Sequence, residues 1–323
     1  MNKLLVILGP TASGKSDMAV KLALRLRSGR NDFGIKGAEI ISADSRQVYK
    51  GMDIGSGKVT KKETKGVAHH LLSVANPKTR FTVSQYQKLA LKAIKNIQKK
   101  GKLPILVGGT SFYIQAVVDG IVIPELKPDW KLRAKLERQP LPELAKRLQT
   151  LDPVRASTID QNNPRRVIRA LELVIKLGHP VATLQRKDAG FDTLILGIKK
   201  DPAELKKLIN KRLLKRLKNN AMINEVKKLR ASGLSWKRLE EFGLEYRFVA
   251  QYLQNKTSYQ EMVNNIQKES EHYAKRQMTW FKREPPSPSG SGEPSKRINW
   301  IKNYSQALKV YKKFIKKEEG KPS

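Results

Sequence analysis

The sequence predicts an α/β protein: a doubly wound parallel sheet of the P-loop type, with a helical insertion domain and a helical C-terminal region. Three observations predict it. Short, continuous apolar runs alternate with helical patterning in the first third of the chain and return near residue 193. The first run ends in a glycine-rich loop that closes on a lysine and a serine. Between the third and fourth runs, and again after residue 200, the patterning is helical only.

The elements follow in order. Leu4-Leu5-Val6-Ile7-Leu8 is apolar without alternation, as a strand buried on both faces should be. Asp17 to Arg27 carries Met18, Leu22 and Leu26 at helical spacing. Ala38 to Ile41 is a second strand, running into Ser42-Ala43-Asp44-Ser45. Ser84 to Gln98 reads as an amphipathic helix with Leu89, Ala93, Ile94 and Ile97 inward. Leu103 to Val107 is a third strand, tipped by Gly108-Gly109-Thr110, and Thr193 to Ile198 is a fourth. Helices at Pro142 to Leu151 and Pro164 to Leu177 fill the insertion. Asp201-Pro202-Ala203-Glu204 opens a helix, with Asp at the N-cap and Pro in the first turn. One helix is expected over Leu205 to Val226, with others near Met222 to Ala231, Tyr246 to Gln254 and Tyr259 to Phe281. Pro285 to Ser295 has loop composition, and a basic helix follows Gln306. The division expected is 1–120 plus 191–323 for the core and 121–190 for the insertion.

Composition narrows the function. Lys and Arg total 65 against 29 Asp and Glu, a net charge of +36, which makes a polyanion such as nucleic acid the natural partner. The absence of cysteine excludes disulfides, thiolate metal sites and cysteine nucleophiles. No run approaches the roughly 18 apolar residues of a membrane span, and Leu4 to Gly9 is too short for a signal-peptide core. A cytoplasmic, monomeric protein with no membrane association is expected.

Gly9-Pro10-Thr11-Ala12-Ser13-Gly14-Lys15-Ser16 fits G-x-x-x-x-G-K-[ST] between a strand and a helix. Such a loop curls so that backbone N–H groups face phosphate oxygens, aided by the positive end of the helix. Lys15 supplies a cation, and Ser16 offers its hydroxyl to magnesium. Asp44 comes out at the same sheet edge, where it could hold magnesium, accept a proton or cap a turn. The third tip, Gly108-Gly109-Thr110, has no acid, so a complete ATP-hydrolysing site is missing. On these residues alone a transferase, a small-molecule kinase and a non-catalytic RNA-binding protein all stay open. His69-His70 lacks a suitably spaced third metal ligand and reads as structural.

Larger blocks carry a resemblance. I-S-A-D-S-R-Q-V-Y-K-G-M-D-I-G (41–55), H-H-L (69–71), L-V-G-G-T-S-F-Y (106–113), N-P-R-R-V-I-R-A-L-E (163–172), F-G-L-E-Y-R (242–247) and A-K-R-Q-M-T-W-F (274–281) follow the phosphate loop in order. Together they resemble the tRNA dimethylallyltransferases over nearly the whole chain. The resemblance implies transfer of a dimethylallyl group from dimethylallyl diphosphate to the exocyclic amine of the adenosine 3′ of the anticodon, with magnesium as cofactor. It implies that the loop cradles a prenyl diphosphate, that Asp44 serves as general base or orienter, and that Ser45, Arg46 and Gln47 contact the region of the flipped base. Thr110 would help hold the diphosphate, and so would Arg212 or Arg216, with Arg212 favoured. Arg165, Arg166, Val167, Ile168 and Arg169, with Phe242, Gly243, Leu244, Glu245, Tyr246 and Arg247, would grip the anticodon stem-loop. Three departures stand out: Ser16 where the family often has Thr, a slightly longer helix after Leu205, and the extra loop at 285–295.

Overall fold

The computed structural model describes residues 2–28, 35–124, 126–181, 189–282 and 298–316. The expected loop at 285–295 lies outside them. The chain divides into two compact units, one made of Met1–Asp119 with Asp188–Ser323, the other of Gly120–Lys187.

In the first unit the order is β1 (Lys3–Leu8), α1 (Lys15–Arg27), β2 (Ala38–Ala43), α2 (Lys61–Thr64), β3 (His69–His70), α3 (Val83–Lys99), β4 (Leu103–Gly108) and α4 (Ser111–Val118). The second unit holds α5 (Trp130–Leu136), α6 (Leu141–Leu151), α7 (Pro153–Thr158) and α8 (Pro164–Leu177). The chain then returns to the first unit with β5 (Asp192–Ile198), α9 (Pro202–Leu217), α10 (Ala221–Ala231), α11 (Trp236–Glu241), α12 (Leu244–Leu253), α13 (Tyr259–Lys282), β6 (Asn299–Ile301) and α14 (Tyr304–Lys316). The sheet is wholly parallel, in the order β3-β2-β4-β1-β5-β6. No helix among the described residues is long and apolar enough to cross a membrane.

Both sheet faces are covered. Leu4, Val6 and Leu8 pack with Ile94, Ile97, Val117 and the helices of the C-terminal region. Leu5 and Ile7 pack with Met18, Leu22 and Leu26 of α1 and Tyr311 and Ile315 of α14. This two-sided burial is why β1 and β4 read as continuous apolar runs, while β2 carries one buried charge, Glu39. Their register places the site. Leu8 and Ala43 both pair with Gly108, so the three strands end at one level. A Cβ on Gly108 would sit 2.0 Å from the Ala43 carbonyl oxygen, so only glycine lets β2 and β4 close there. Gly9, Asp44 and Gly109 therefore come out side by side at the carboxyl edge, where ligands bind in such sheets.

Three expectations need correction. Leu89 does not face inward: it is 37 % exposed, and Tyr86 and Ala90 join Ala93, Ile94 and Ile97 in the core. The helix expected over Leu205 to Val226 breaks after Leu217, because Asn219 and Asn220 adopt left-handed backbone (φ 55° each), a conformation Asn tolerates. The strands β3 and β6 went unread, having two and three residues each. The α9 cap formed as read: the Asp201 carboxylate accepts from the Ala203 and Glu204 N–H groups.

Behind the sheet edge, the Glu39 carboxylate is buried. Burial pushes its pKa up, but hydrogen bonds from Lys102 (2.8 Å), His70 (2.7 Å) and Lys100 (3.2 Å) outweigh this and hold it at about 2. The unfolded chain then binds the extra proton, so this contribution is present above the ordinary glutamate range and is lost as pH falls towards 2. Denaturant midpoints measured between pH 5 and pH 2.5 should fall more steeply for the native protein than for Glu39→Gln.

Candidate active site

The phosphate loop, Gly9 to Ser16, joins β1 to the first turn of α1. Gly14 has φ 88°, and a side chain there would meet no neighbour, so glycine is needed for the turn rather than for room. The Lys15 ammonium folds back and donates to the Pro10 carbonyl at 2.6 Å. The Ser13 hydroxyl is buried and has no hydrogen-bond partner among the described residues, a donor left over for an anion. Ser16 is exposed on the first turn.

Across a cavity of about 550 Å³ stand Asp44, Gln47, Arg212, Tyr273 and Gln277. Asp44 Oδ1 accepts from the N–H groups of Arg46 (2.8 Å) and Gln47 (3.2 Å), which sets the rotamer of the carboxylate. Its other oxygen makes no hydrogen bond among the described residues. The strand behind it is steadied by Tyr86, whose hydroxyl donates to the Ser42 carbonyl at 3.0 Å. The Thr110 hydroxyl accepts from the Ser45 N–H at 3.0 Å. Burial and the neighbouring Asp44 push the Tyr273 phenol up to about 12, so it remains a neutral group at physiological pH.

Arg212 reaches the cavity from α9, with Nη1 at 3.5 Å from the Thr11 hydroxyl and Nη2 donating to the Gly57 carbonyl at 3.2 Å. Arg216, one turn further on, is occupied by Glu245 (2.8 Å) and the Gly55 carbonyl (3.1 Å) and does not line the cavity. Burial pushes Lys15 down to about 7, with Arg212 adding to the shift and Asp44 opposing it. Arg212 itself is lowered to about 10 by burial and by Arg216. Lys15 and Arg212, with Lys65, Lys211 and Lys215 on the same lining, give the cavity an excess of cations suited to an anion.

The segment carrying Gly57 is held from beneath. The buried Glu225 carboxylate on α10 accepts the N–H groups of Asp53 (2.8 Å), Ile54 (2.6 Å) and Gly55 (3.0 Å), and the Tyr246 hydroxyl at 2.9 Å. The Tyr246 oxygen in turn accepts the Ser56 N–H at 3.0 Å.

The structure thus brings together the phosphate loop, Asp44, Gln47 and Arg212. Ser45, Arg46 and Thr110 lie just behind the cavity wall rather than on it. Arg46 does not reach outward for a base: its guanidinium donates to the Phe242 carbonyl at 2.6 Å. Phe242 and Tyr246 are core residues and cannot lay a side chain on RNA; Glu245 is ion-paired; Gly243 and Leu244 form a left-handed turn (φ 72° and 42°); Arg247 is exposed. In the second unit, Val167 and Ile168 are buried in its own core, so they too are corrected from contact to packing residues. There Arg169 pairs with the buried Glu172, which Arg133 also holds at 2.7 Å, while Arg165 and Arg166 are exposed. His69 Nδ1 bonds the Val67 carbonyl and His70 Nε2 bonds Glu39, His69 Nε2 is buried with no hydrogen-bond partner among the described residues, and no described cluster of acids and histidines could hold a metal ion by itself.

Comparison with known proteins agrees with these features. A sequence model of the IPP transferases matches residues 47–284. The tRNA dimethylallyltransferase 1 of Syntrophus aciditrophicus is 39 % identical over 286 residues, covering 88 % of this chain and 90 % of that protein. The tRNA dimethylallyltransferase of Carboxydothermus hydrogenoformans is 36 % identical over 322 residues, covering 97 % and 96 %. The crystal structure of a tRNA isopentenylpyrophosphate transferase from Bacillus halodurans superposes with a TM-score of 0.69 at 30 % identity, covering 99 % of this chain and 98 % of that one.

Two outcomes follow from this geometry. Inorganic pyrophosphate bound beside Lys15 favours the charged amine, so binding at pH 8 should take up close to one proton, and affinity should weaken as pH rises above about 7. Calorimetry in buffers of different ionisation enthalpy reads this directly, and Lys15→Arg, whose guanidinium stays charged, should abolish the uptake. Separately, Glu225→Ala orphans three backbone donors and a phenol. At about 1–3 kcal/mol for a buried group left unsatisfied, it should lower the unfolding free energy by several kcal/mol, as read by urea titration.

Proposed function

Because this chain belongs to the IPP transferase family, we propose that its cavity transfers a dimethylallyl group from dimethylallyl diphosphate to the exocyclic amine of the adenosine 3′ to the anticodon of tRNA. One observation carries the reading: Lys15 and Arg212 converge on the phosphate loop while the Asp44 carboxylate, at the tip of β2, lines the same cavity.

In the reaction the bond between the allylic carbon and the diphosphate oxygen breaks. A bond from the adenine amine to that carbon forms, and the amine gives up a proton. Negative charge builds on the departing pyrophosphate, which the loop N–H groups, the Ser13 hydroxyl, Lys15 and Arg212 stabilise in place. The Asp44 oxygen that is not spent on its own turn accepts the amine proton. Gln47 Nε2 is held on the Gly57 carbonyl and its Oε1 on the Ser42 hydroxyl, so its side chain forms a fixed wall for the base. Thr110 holds the Asp44 turn through the Ser45 N–H instead of grasping the diphosphate. Val20, Ile40, Val59 and Val107 give the cavity apolar stretches that keep water from the cation-like allyl carbon.

Magnesium suits this donor set. The ion keeps several waters and rides on substrate phosphates with one or two protein oxygens, and the Ser16 hydroxyl and Asp44 offer those. When bound it would neutralise charge on the diphosphate. The net charge of +36 draws in the polyanionic acceptor, and the exposed Arg165 and Arg166 of the second unit and Arg247 of the first would each pair with its phosphates. The site is complete within one chain, which acts as a monomer.

Radiolabelled dimethylallyl diphosphate and an unmodified tRNA transcript, followed by nucleoside analysis, should yield prenylated adenosine with no requirement for ATP. Asp44→Asn should lower kcat by about 10²–10⁴-fold while pyrophosphate and tRNA still bind within a few-fold. Absence of alkylated adenine with the native protein, or near-native turnover without the Asp44 carboxylate, would contradict the assignment.

A further inference from the structure

Gln277 sits on α13, 266 residues from Thr11 of the phosphate loop, and is only 5 % exposed. Its side-chain oxygen accepts the Thr11 N–H at 2.8 Å and its nitrogen donates to the Gly109 carbonyl at 2.7 Å. An N–H can only donate and a carbonyl can only accept, so the orientation of the carboxamide is forced. Thr11 belongs to the phosphate loop. Gly109 precedes Thr110, whose hydroxyl holds the turn that aims Asp44. One planar group therefore spans the two sides of the site. Gly109 is shaped for it: a Cβ there would lie 2.2 Å from the Gln277 nitrogen, although its backbone is one that alanine can adopt. One helical turn earlier, Tyr273 of the same helix lines the same cavity.

Resting on the prenyl-transfer reading, we propose that Gln277 is a positioning residue that fixes the distance between the diphosphate held by the loop and the carboxylate that receives the amine proton. It touches neither reacting group. Each half of the site keeps its own ligand contacts without it, but the two halves lose their common reference. Displacements of the order of 1 Å cost about 10²-fold in rate when reacting groups must meet, whereas separate binding of each substrate does not depend on the match. A residue that merely fills the core would instead lower stability and leave the kinetic constants of the folded protein alone.

The full-length protein and three variants, Gln277→Ala, Gly109→Ala and the double substitution, distinguish these. Each single change should lower kcat by about 10–100-fold, with KM for the prenyl diphosphate and for tRNA and the affinity for inorganic pyrophosphate within about threefold. Both remove the same contact, so the double variant should be no slower than the slower single one. Gln277→Glu keeps the acceptor but loses the donor. Its kcat relative to the native protein should rise as pH is lowered and the introduced carboxyl regains a proton to give to Gly109. This variant also decides the matter if the alanine forms do not fold. Native kcat in Gln277→Ala, losses confined to KM, multiplicative losses in the double variant, or a Gln277→Glu ratio flat with pH would each overturn the proposal. Product formation by the native protein in the same assay keeps a failure of the reaction assignment separate from a failure of this one.

Discussion

The common level at which β1, β2 and β4 end decides where everything else in the first unit can go. Parallel register pairs Leu8 and Ala43 with Gly108, and the missing side chain at Gly108 lets the three strands stay close to their last residue. A bulky residue there would splay β2 from β4 and carry Asp44 away from the phosphate loop. The chemistry therefore depends first on a hydrogen-bond register and on one absent Cβ, and only then on the reactive side chains. The helices behind the edge serve the same end: Glu225 fastens the segment that supplies Gly57, and Arg212 uses Gly57 as its rest.

The electrostatics of the cavity follow from crowding more cations than carboxylates into its lining: Lys15, Lys65, Lys211, Arg212 and Lys215 against Asp17, Asp44 and Glu63. Burial lowers Lys15 and Arg212 relative to their ordinary values, and each lowers or crowds a cationic neighbour. A multivalent anion entering such a site would offset this repulsion, and under the proposed reaction that would let the leaving group be recognised by its charge. The same imbalance extends over the whole surface as a net +36, so the long-range field that gathers RNA and the local field that holds the pyrophosphate have one sign.

What could be read from the sequence was local. The strands β1, β4 and β5 show because two-sided burial leaves an apolar run, β2 shows through Ile40 and Ile41 despite Glu39, and α9 shows because Asp201 and Pro202 mark its first turn. The phosphate loop shows because its function is carried by consecutive residues. The short strands β3 and β6 exist only through pairing with β2 and β5, so nothing local marks them. Gln277 and Glu225 were hidden for the same reason: their partners lie 266 and 171 residues away. One hint was present, since the doubled glycine at 108–109 announces that something must approach the tip of β4 from both sides.

The block Phe242 to Arg247 shows what a family-specific stretch can mean physically. Read as a grip on RNA, it turns out to put its aromatic residues into the core, Phe242 edge-on to Tyr49 and to Tyr246. Its Tyr246 hydroxyl links Glu225 to the Ser56 N–H, and its Glu245 holds Arg216 away from the cavity. Arg216 is thereby committed to structure, which leaves Arg212 as the guanidinium that faces the phosphate loop. The block thus shapes the anion site from behind without entering it. Under the proposed reaction a substitution in it should be felt at the diphosphate before it is felt at the RNA, because the only exposed residue of the block is Arg247.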